Sequence, residues 1–364
     1  VANTLEIVIN AKDNASGVLD KIAGKVSSFS SGVTAKLLPA AIAGGTVAAA
    51  IGAIGMVAEK TFGPMIAAAT EFEGAVIDMG IAAADTGLSL DELRDAAITV
   101  GMDTGLLGVT AAGAADSITA MFKAGLTTTE VFGDLDGYMA GTAELSGALR
   151  AAIDLAAASE LDMVQASDLA VVALSTFGGE LETEAERAAF VNSAMDYMVR
   201  TANASVSSVT DLADALSTAG PVFAMFGFDI EDTNTALALL STRGIKGAEA
   251  GTSLKSMLVN MTSPVKSVQE AWDALGLSMY DSEGNMRELP DIIADLNTAM
   301  AGYTEEQKQA TLVALAGSYG IKALSTLLSE GESGWYAMKD ATAAAMGMAE
   351  QAALKINSLA GAQE

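Results

Sequence analysis

The stretch Ser89-Leu90-Asp91-Glu92-Leu93-Arg94-Asp95-Ala96-Ala97-Ile98-Thr99-Val100-Gly101 contains a complete set of helix signals. Ser89 can accept an orphan amide while Glu92 reaches back to the Ser89 N–H, the reciprocal pattern of a capping box. Leu90, Leu93, Ala97 and Val100 then recur at helical spacing, and Gly101 is the expected stop. The same start signal returns at Thr127…Glu130, Thr183…Glu186 and Thr304…Gln307. Further stops are expected at Gly125, Gly244, Gly276, Gly302 and Gly331, where a left-handed residue can close a helix. Pro221, Pro264 and Pro290 read as first-turn prolines that open helices. From residue 71 onward the pattern is therefore a succession of short capped helices, and the fold class is all-α.

Composition agrees. Hydrophobic residues make up 51% of the 364, but aromatics only 5%, so Ala, Leu, Val and Met carry the apolar content. These favour helices whose backbones approach closely. Minor β structure is expected at Leu5–Ile9 and around 279–287, and an amphipathic helix with Val18, Leu19, Ile22, Val26 and Phe29 on one face. The chain divides into a strand and amphipathic helix (1–36), an apolar segment (37–70), an acidic helical core (71–332) and a C-terminal helix (333–364).

Lys36 and Glu59 enclose 22 uncharged residues, with Leu37 and Val57 near the ends and Gly44, Ala48 and Gly52 as a small-residue series. As a helix this run would measure about 33 Å, close to a bilayer's hydrocarbon thickness. Ala and Gly contribute little insertion energy, so a helix buried by protein on the axis of an oligomer fits the same residues. Both readings stand at this level. Val1–Asn10 has no basic region, so a cleavable leader is not expected there.

Charge is uneven. Lys and Arg total 19 against 46 Asp and Glu, a formal charge of −27; residues 1–60 hold +1 of this and the remainder −28. A polyanion ligand needs clustered cations, so specific nucleic-acid binding is not expected. With no Cys and no His, thiol nucleophiles, Ser-His-Asp triads and Cys-ligated metals are excluded. Asp281-Ser282-Glu283-Gly284-Asn285 has the alternating oxygens of a calcium loop, but Met286 and Ile292 occupy the positions that need Gly and a bidentate Glu. Glu130, Asp134 and Asp136 read as a solvated face rather than an acid/base pair. Gly244-Ile245-Lys246-Gly247-Ala248-Glu249-Ala250-Gly251-Thr252 looks like a phosphate cradle, but no strand precedes it and Glu249 sits in its middle. A tight helix–helix elbow is the expectation. Met195 and Met198 read as core filler. No catalytic residue, metal or cofactor is expected, and the chain is not expected to be an enzyme.

The elbow is also where a resemblance enters. Leu212-Ala213-Asp214-Ala215-Leu216, Gly220-Pro221, Phe226-Gly227, Thr235-Ala236-Leu237-Ala238-Leu239-Leu240, Gly244-Ile245-Lys246-Gly247 and Ala250-Gly251-Thr252-Ser253-Leu254 are similar to the core of the tail tape measure proteins of tailed viruses. Lys123-Ala124-Gly125, Phe177-Gly178, Thr201-Ala202-Asn203-Ala204-Ser205 and Ala274-Leu275-Gly276-Leu277 agree in order. Leu315-Ala316-Gly317 departs from the pattern, which has an aromatic before the Gly. The resemblance implies a helical assembly protein of the virion tail lumen and tip that sets tail length and templates the tube. It implies release ahead of the genome and a channel through the host envelope. It further implies three self-associated copies, six being the alternative, with tube, distal tail and hub proteins and the host membrane as partners. Pro221, Gly244, Gly247 and Gly251 are then expected to shape elbows, and Phe72, Phe177, Phe223, Phe226 and Trp272 to anchor helix contacts. A membrane-active pore former using residues 37–58 is the alternative reading.

Overall fold

A computed structural model describes residues 67–103, 106 and 109–363. The residues of the expected strand (Leu5–Ile9), of the expected amphipathic helix and of the apolar segment with Leu37, Gly44, Ala48, Gly52 and Val57 lie outside the described residues. Two compact units divide at Thr127/Thr128.

The described part of the first unit has three helices: α1 (67–82), α2 (Leu90–Met102) and α3 (Ala111–Lys123). Ser89 caps α2 as the sequence requires, its Oγ accepting from the Glu92 amide at 3.2 Å while Glu92 accepts from the Ser89 amide at 2.7 Å. Arg94 joins α2 to α1 through Glu73 at 3.0 Å. Gly101 does not end its helix. It lies inside α2, where an added Cβ would come 2.4 Å from the Ala111 amide nitrogen. Contact between two backbones, invisible to a local pattern, is what requires glycine there.

The second unit runs α4 (Thr128–Phe132), α5 (Leu135–Met139), α6 (Gly147–Ala158), α7 (Met163–Phe177), α8 (Glu184–Ala204), α9 (Val209–Met225), α10 (Ile230–Thr242), α11 (Gly247–Met261), α12 (Lys266–Leu275), α13 (Leu289–Ala299), α14 (Glu305–Ala344) and α15 (Met348–Gln363). Among the described residues no strand forms; around 279–287 there is one antiparallel bridge, Tyr280 to Met286. The Thr183 and Thr304 boxes form, and so do two boxes the sequence reading passed over, Asp162…Gln165 and Ser208…Asp211. Those two differ only in using Asp as the cap or as the returning acid. At Thr127…Glu130 the acid does something else: Glu130 is buried and its carboxylate accepts from the Arg187 guanidinium of α8. Glu130 is thus no part of a solvated face.

Pro290 opens α13 as expected, but Pro264 lies ahead of the N-cap Val265 and Pro221 lies inside α9. At that place it removes the i→i−4 bond to the Ser217 carbonyl, and α9 ends at Met225. The 40-residue α14 is not straight. Gly317 (φ 67°, ψ 179°) and Gly331 (φ 70°, ψ −177°) adopt a conformation essentially restricted to glycine and divide it into 305–316, 318–330 and 332–344. After a break at 345–347, α15 lies on the body: Gln351 Nε2 donates to the Ala158 carbonyl at 2.6 Å, and the Met348 amide to Asp196 at 2.7 Å.

The core sits where α11 passes between α9 and α14, the two most extensive helix contacts. An added Cβ at Gly251 of α11 would meet the Ala215 carbonyl oxygen of α9 at 2.4 Å. One at Gly320 of α14 would meet the Met257 backbone of α11 at 2.5 Å. Gly251→Val should therefore force α9 and α11 apart and cost about 1–3 kcal/mol, the usual price of overpacking. Gly74, exposed on α1 with nothing within 4 Å of an added Cβ, gives the control. Gly74→Ala should stabilise by up to about 1 kcal/mol. Thermal melts followed by circular dichroism measure both, and equal midpoints for G251V and the parent would refute the contact.

Candidate functional site

The glycines that resemble a phosphate cradle build the α10–α11 elbow. Gly244 (φ 78°) ends α10, with its amide donating to Ser241 and that of Ile245 to Leu240, which satisfies the last carbonyls of the helix. Gly247 (φ 55°) opens α11 without a side-chain cap. Lys246 between them donates through Nζ to the Val206 carbonyl. Glu249 faces Lys322 of the 318–330 segment at 2.6 Å. Lys246, the cation that a phosphate would need, is thus committed to a backbone carbonyl, and Glu249 brings a carboxylate to the same turn. Gly251 completes the site one turn later, against Ala215.

Two asparagines stand at the corners of α14. Asn260 of α11 lies against Gly317, its amide atoms 3.1–3.2 Å from where a Cβ would be. Asn297 of α13 donates to the Leu328 carbonyl at 2.9 Å, satisfying a group left without its helical partner by the Gly331 corner.

The expected anchors fall in different surroundings. Phe223 is buried with its ring centroid 5.4 Å from that of Phe228. Trp272 is buried and its Nε1 donates to the Met261 carbonyl at 2.9 Å. Phe177 is half-buried against Gly220; Phe226 is half-buried at the C-cap of α9, where Pro221 is exposed; Phe72 is half-buried on α1. Met195 and Met198 are fully buried. Sequence reasoning missed the largest fully buried side chain, Trp335, and also Phe132. The signal for Trp335 was its place seven residues ahead of the buried Thr342 on the segment 332–344.

Charged groups meet where α8, α10 and α14 come together; Asp232 is buried, Lys339 half-buried and Glu231 exposed. Lys339 donates to Asp232 at 2.8 Å, and Tyr197 shares a hydrogen bond with Thr235 at 3.1 Å. Burial pushes the Asp232 and Glu231 carboxyls up, reinforced by the negative charge of Asp229, and burial also raises the Tyr197 phenol. Burial acts to lower Lys339, but its bond to Asp232 and the surrounding carboxylates outweigh this and raise it. Asp116, beside Glu71 and Asp78 in the first unit, is raised by burial and then by these neighbours. No group of three or more metal-binding side chains occurs among the described residues.

A carboxyl raised in the folded state binds protons that the unfolded chain releases, so its contribution to stability grows as pH falls toward the ordinary carboxylate range. Glu92, Glu186 and Asp281 are held low by hydrogen bonds from their cap or turn amides, and their contribution is lost below that range. The thermal midpoint should therefore rise from pH 7 toward about pH 5 and fall again below about pH 4. The rise should be smaller in Asp232→Asn. A midpoint that falls steadily from pH 7 to 5 would contradict the assignment.

This geometry holds helices together, and comparison with known proteins gives it a context. The family described as phage-related minor tail protein matches residues 94–317, a span that includes Pro221, the elbow, Gly251 and the first corner at Gly317. Over 188 residues, 52% of the chain, it is 34% identical to the tape measure protein of Pneumococcus phage Dp-1. Over 104 residues, 29% of the chain, it is 29% identical to the probable tape measure protein of Escherichia phage P2. These stretches cover 16% and 13% of the two relatives, so the chain matches less than a fifth of their length. No solved structure matches it significantly. Since the matched span takes in more than half of its residues, the chain belongs to the phage-related minor tail protein family.

Proposed function

We propose that this chain is the helical core of a tail tape measure protein. In this role it lies in the lumen and tip of the tail tube, sets tail length and templates tube assembly, with three copies side by side and six as the alternative. It leaves ahead of the genome and contributes to a path through the host envelope. The observation that carries the reading is the 34% identity to a tape measure protein across half of the chain. Its action is mechanical, and no catalytic role is assigned to any residue. The excess of carboxylates supports it, because an acidic surface repels DNA and a protein expelled in front of a genome must not adhere to it. Tube, distal tail and hub proteins are the partners of this role.

A membrane-active pore former is the second reading, favoured by the 22 uncharged residues 37–58. Flotation of the full chain with liposomes separates the membrane step from the rest: recovery with lipid at pH 5 or pH 7 supports it, and failure at both removes it.

The ruler role is tested in the phage itself. Deleting about 36 residues from the tape measure reading frame outside residues 94–317 should shorten tails by about 54 Å, at the rise of about 1.5 Å per helical residue. Electron microscopy of the particles reads the length directly. Tails of parental length would overturn the ruler role.

A further inference from the structure

Residues 332–363 form an arm that is joined to the body through one residue. Gly331 turns α14 with a φ/ψ pair essentially restricted to glycine, and an added Cβ there would have only Asn297 Nδ2 near it, at 3.9 Å. The corner is thus a matter of backbone conformation and not of space. Nothing else interrupts the run from 318 to 344, which contains no proline, and helical dihedrals are open to glycine as well. Straightened at Gly331, this run is one helix about 40 Å long, and the Leu328 carbonyl regains the helical partner that Asn297 now replaces.

Everything past the corner docks on residues far away in sequence. Lys339 pairs with Asp232 of α10 at 2.8 Å, and Arg200 of α8 donates to the Ala345 carbonyl at 2.7 Å. Gln351 donates to the Ala158 carbonyl at 2.6 Å and accepts from Asn203 at 2.7 Å. The partners in these bonds stand 107 to 193 residues apart. None of the bonds requires both sides to belong to one chain, because the covalent link runs through the corner alone. Between 332 and 352 the buried side chains are Trp335, Thr342, Met348 and Ala352, so release uncovers little apolar surface, and water takes over the hydrogen bonds.

We propose that residues 332–363 are exchanged between copies of the chain. With Gly331 straightened, the arm of one copy occupies on a second copy the place it otherwise holds on its own body. Occupant and surface match because the closed chain already makes each contact. Exchange therefore needs no new interface and differs from the closed form at the corner. Two copies that reciprocate form a closed pair, and three that pass the arm in one direction form a ring where the rotation closes. The inference goes beyond the tape measure reading. It gives neighbouring copies a means of attachment and is tested on the chain in solution, so either can fail alone.

The chain has no cysteine, so single cysteines are clean markers. Asn203→Cys and Gln351→Cys mark the two sides of one contact. Chains carrying one substitution each, with different affinity tags, are co-expressed and treated with a short bismaleimide. Only exchange brings the two positions together, so a covalent heterodimer should form in excess over pairs of chains that carry the same substitution. A chain carrying both substitutions calibrates the contact. Gly331→Ala in both chains should strengthen association about a hundredfold, about tenfold for each of two corners, because alanine is strained at φ 70° and favoured in a straight helix. Gly74→Ala, on α1, should leave association unchanged. Heterodimer no more abundant than the same-substitution pairs, in the parent and in the Gly331→Ala background, would overturn the proposal. So would G331A chains that sediment as monomers throughout about 1 μM to 1 mM.

Discussion

Helix α11 is held between two neighbours by contacts in which a side chain is missing. At Gly251 the backbone of α9 comes within reach of the Cα, and at Met257 the space is left by Gly320 of α14. Close approach of this kind removes the gap a side chain would impose and lets the flanking Leu254, Met257 and Leu258 pack completely. The elbow at Gly244 and Gly247 sets where α11 begins, and the corner at Gly317, lodged against Asn260, sets where α14 turns away. The rest of the second unit is arranged around this crossing: α10 beside α9 and α14, and α8 behind α10.

What the sequence shows and what it hides divide along one physical line. Caps at Ser89, Thr183 and Thr304 were legible because each is complete within four residues. The elbow was legible because left-handed glycines mark it locally. Gly251 and Gly320 serve partners far away in sequence and Gly101 serves the start of the next helix, and no spacing rule separates such a glycine from a helix stop. Pro221 misleads for a related reason, since a proline near a helix end and one at a helix start look alike without the hydrogen bonds. Glu130 has the register of a returning cap acid, yet Arg187, 57 residues on, takes its carboxylate into the interior. Trp335 follows the corner at Gly331, and what buries it comes from other helices rather than from its own neighbours in sequence.

Cations in this chain are used mainly as fasteners. Each arginine, at 94, 150, 187, 200, 243 and 287, pairs with a carboxylate. Arg200 also donates to the Ala343 and Ala345 carbonyls, bonding the end of α14 where its helical partners run out. The pairs at Arg94 and Arg187 join different helices, while those at Arg150 and Arg200 brace one helix. The guanidinium groups of the described residues thus serve the fold.

The corners of α14 also decide what its hydropathy means. By length and composition it is the one helix among the described residues that could cross a membrane. A crossing needs about 20 residues in one straight run, roughly 30 Å of rise. Gly317 and Gly331 leave no straight run longer than 13 residues, which rises only about 20 Å. Leu315, Ala316, Leu324 and Leu327 are instead turned into the protein interior. These buried residues form one side of the helix, while Val313, Tyr319 and Tyr336 remain exposed. Two glycine dihedrals distinguish that state from a rod of about 60 Å with the same residues in the same order. Hydropathy averaged along a window cannot register a corner, so the fate of this segment is set by backbone conformation before its side chains are counted.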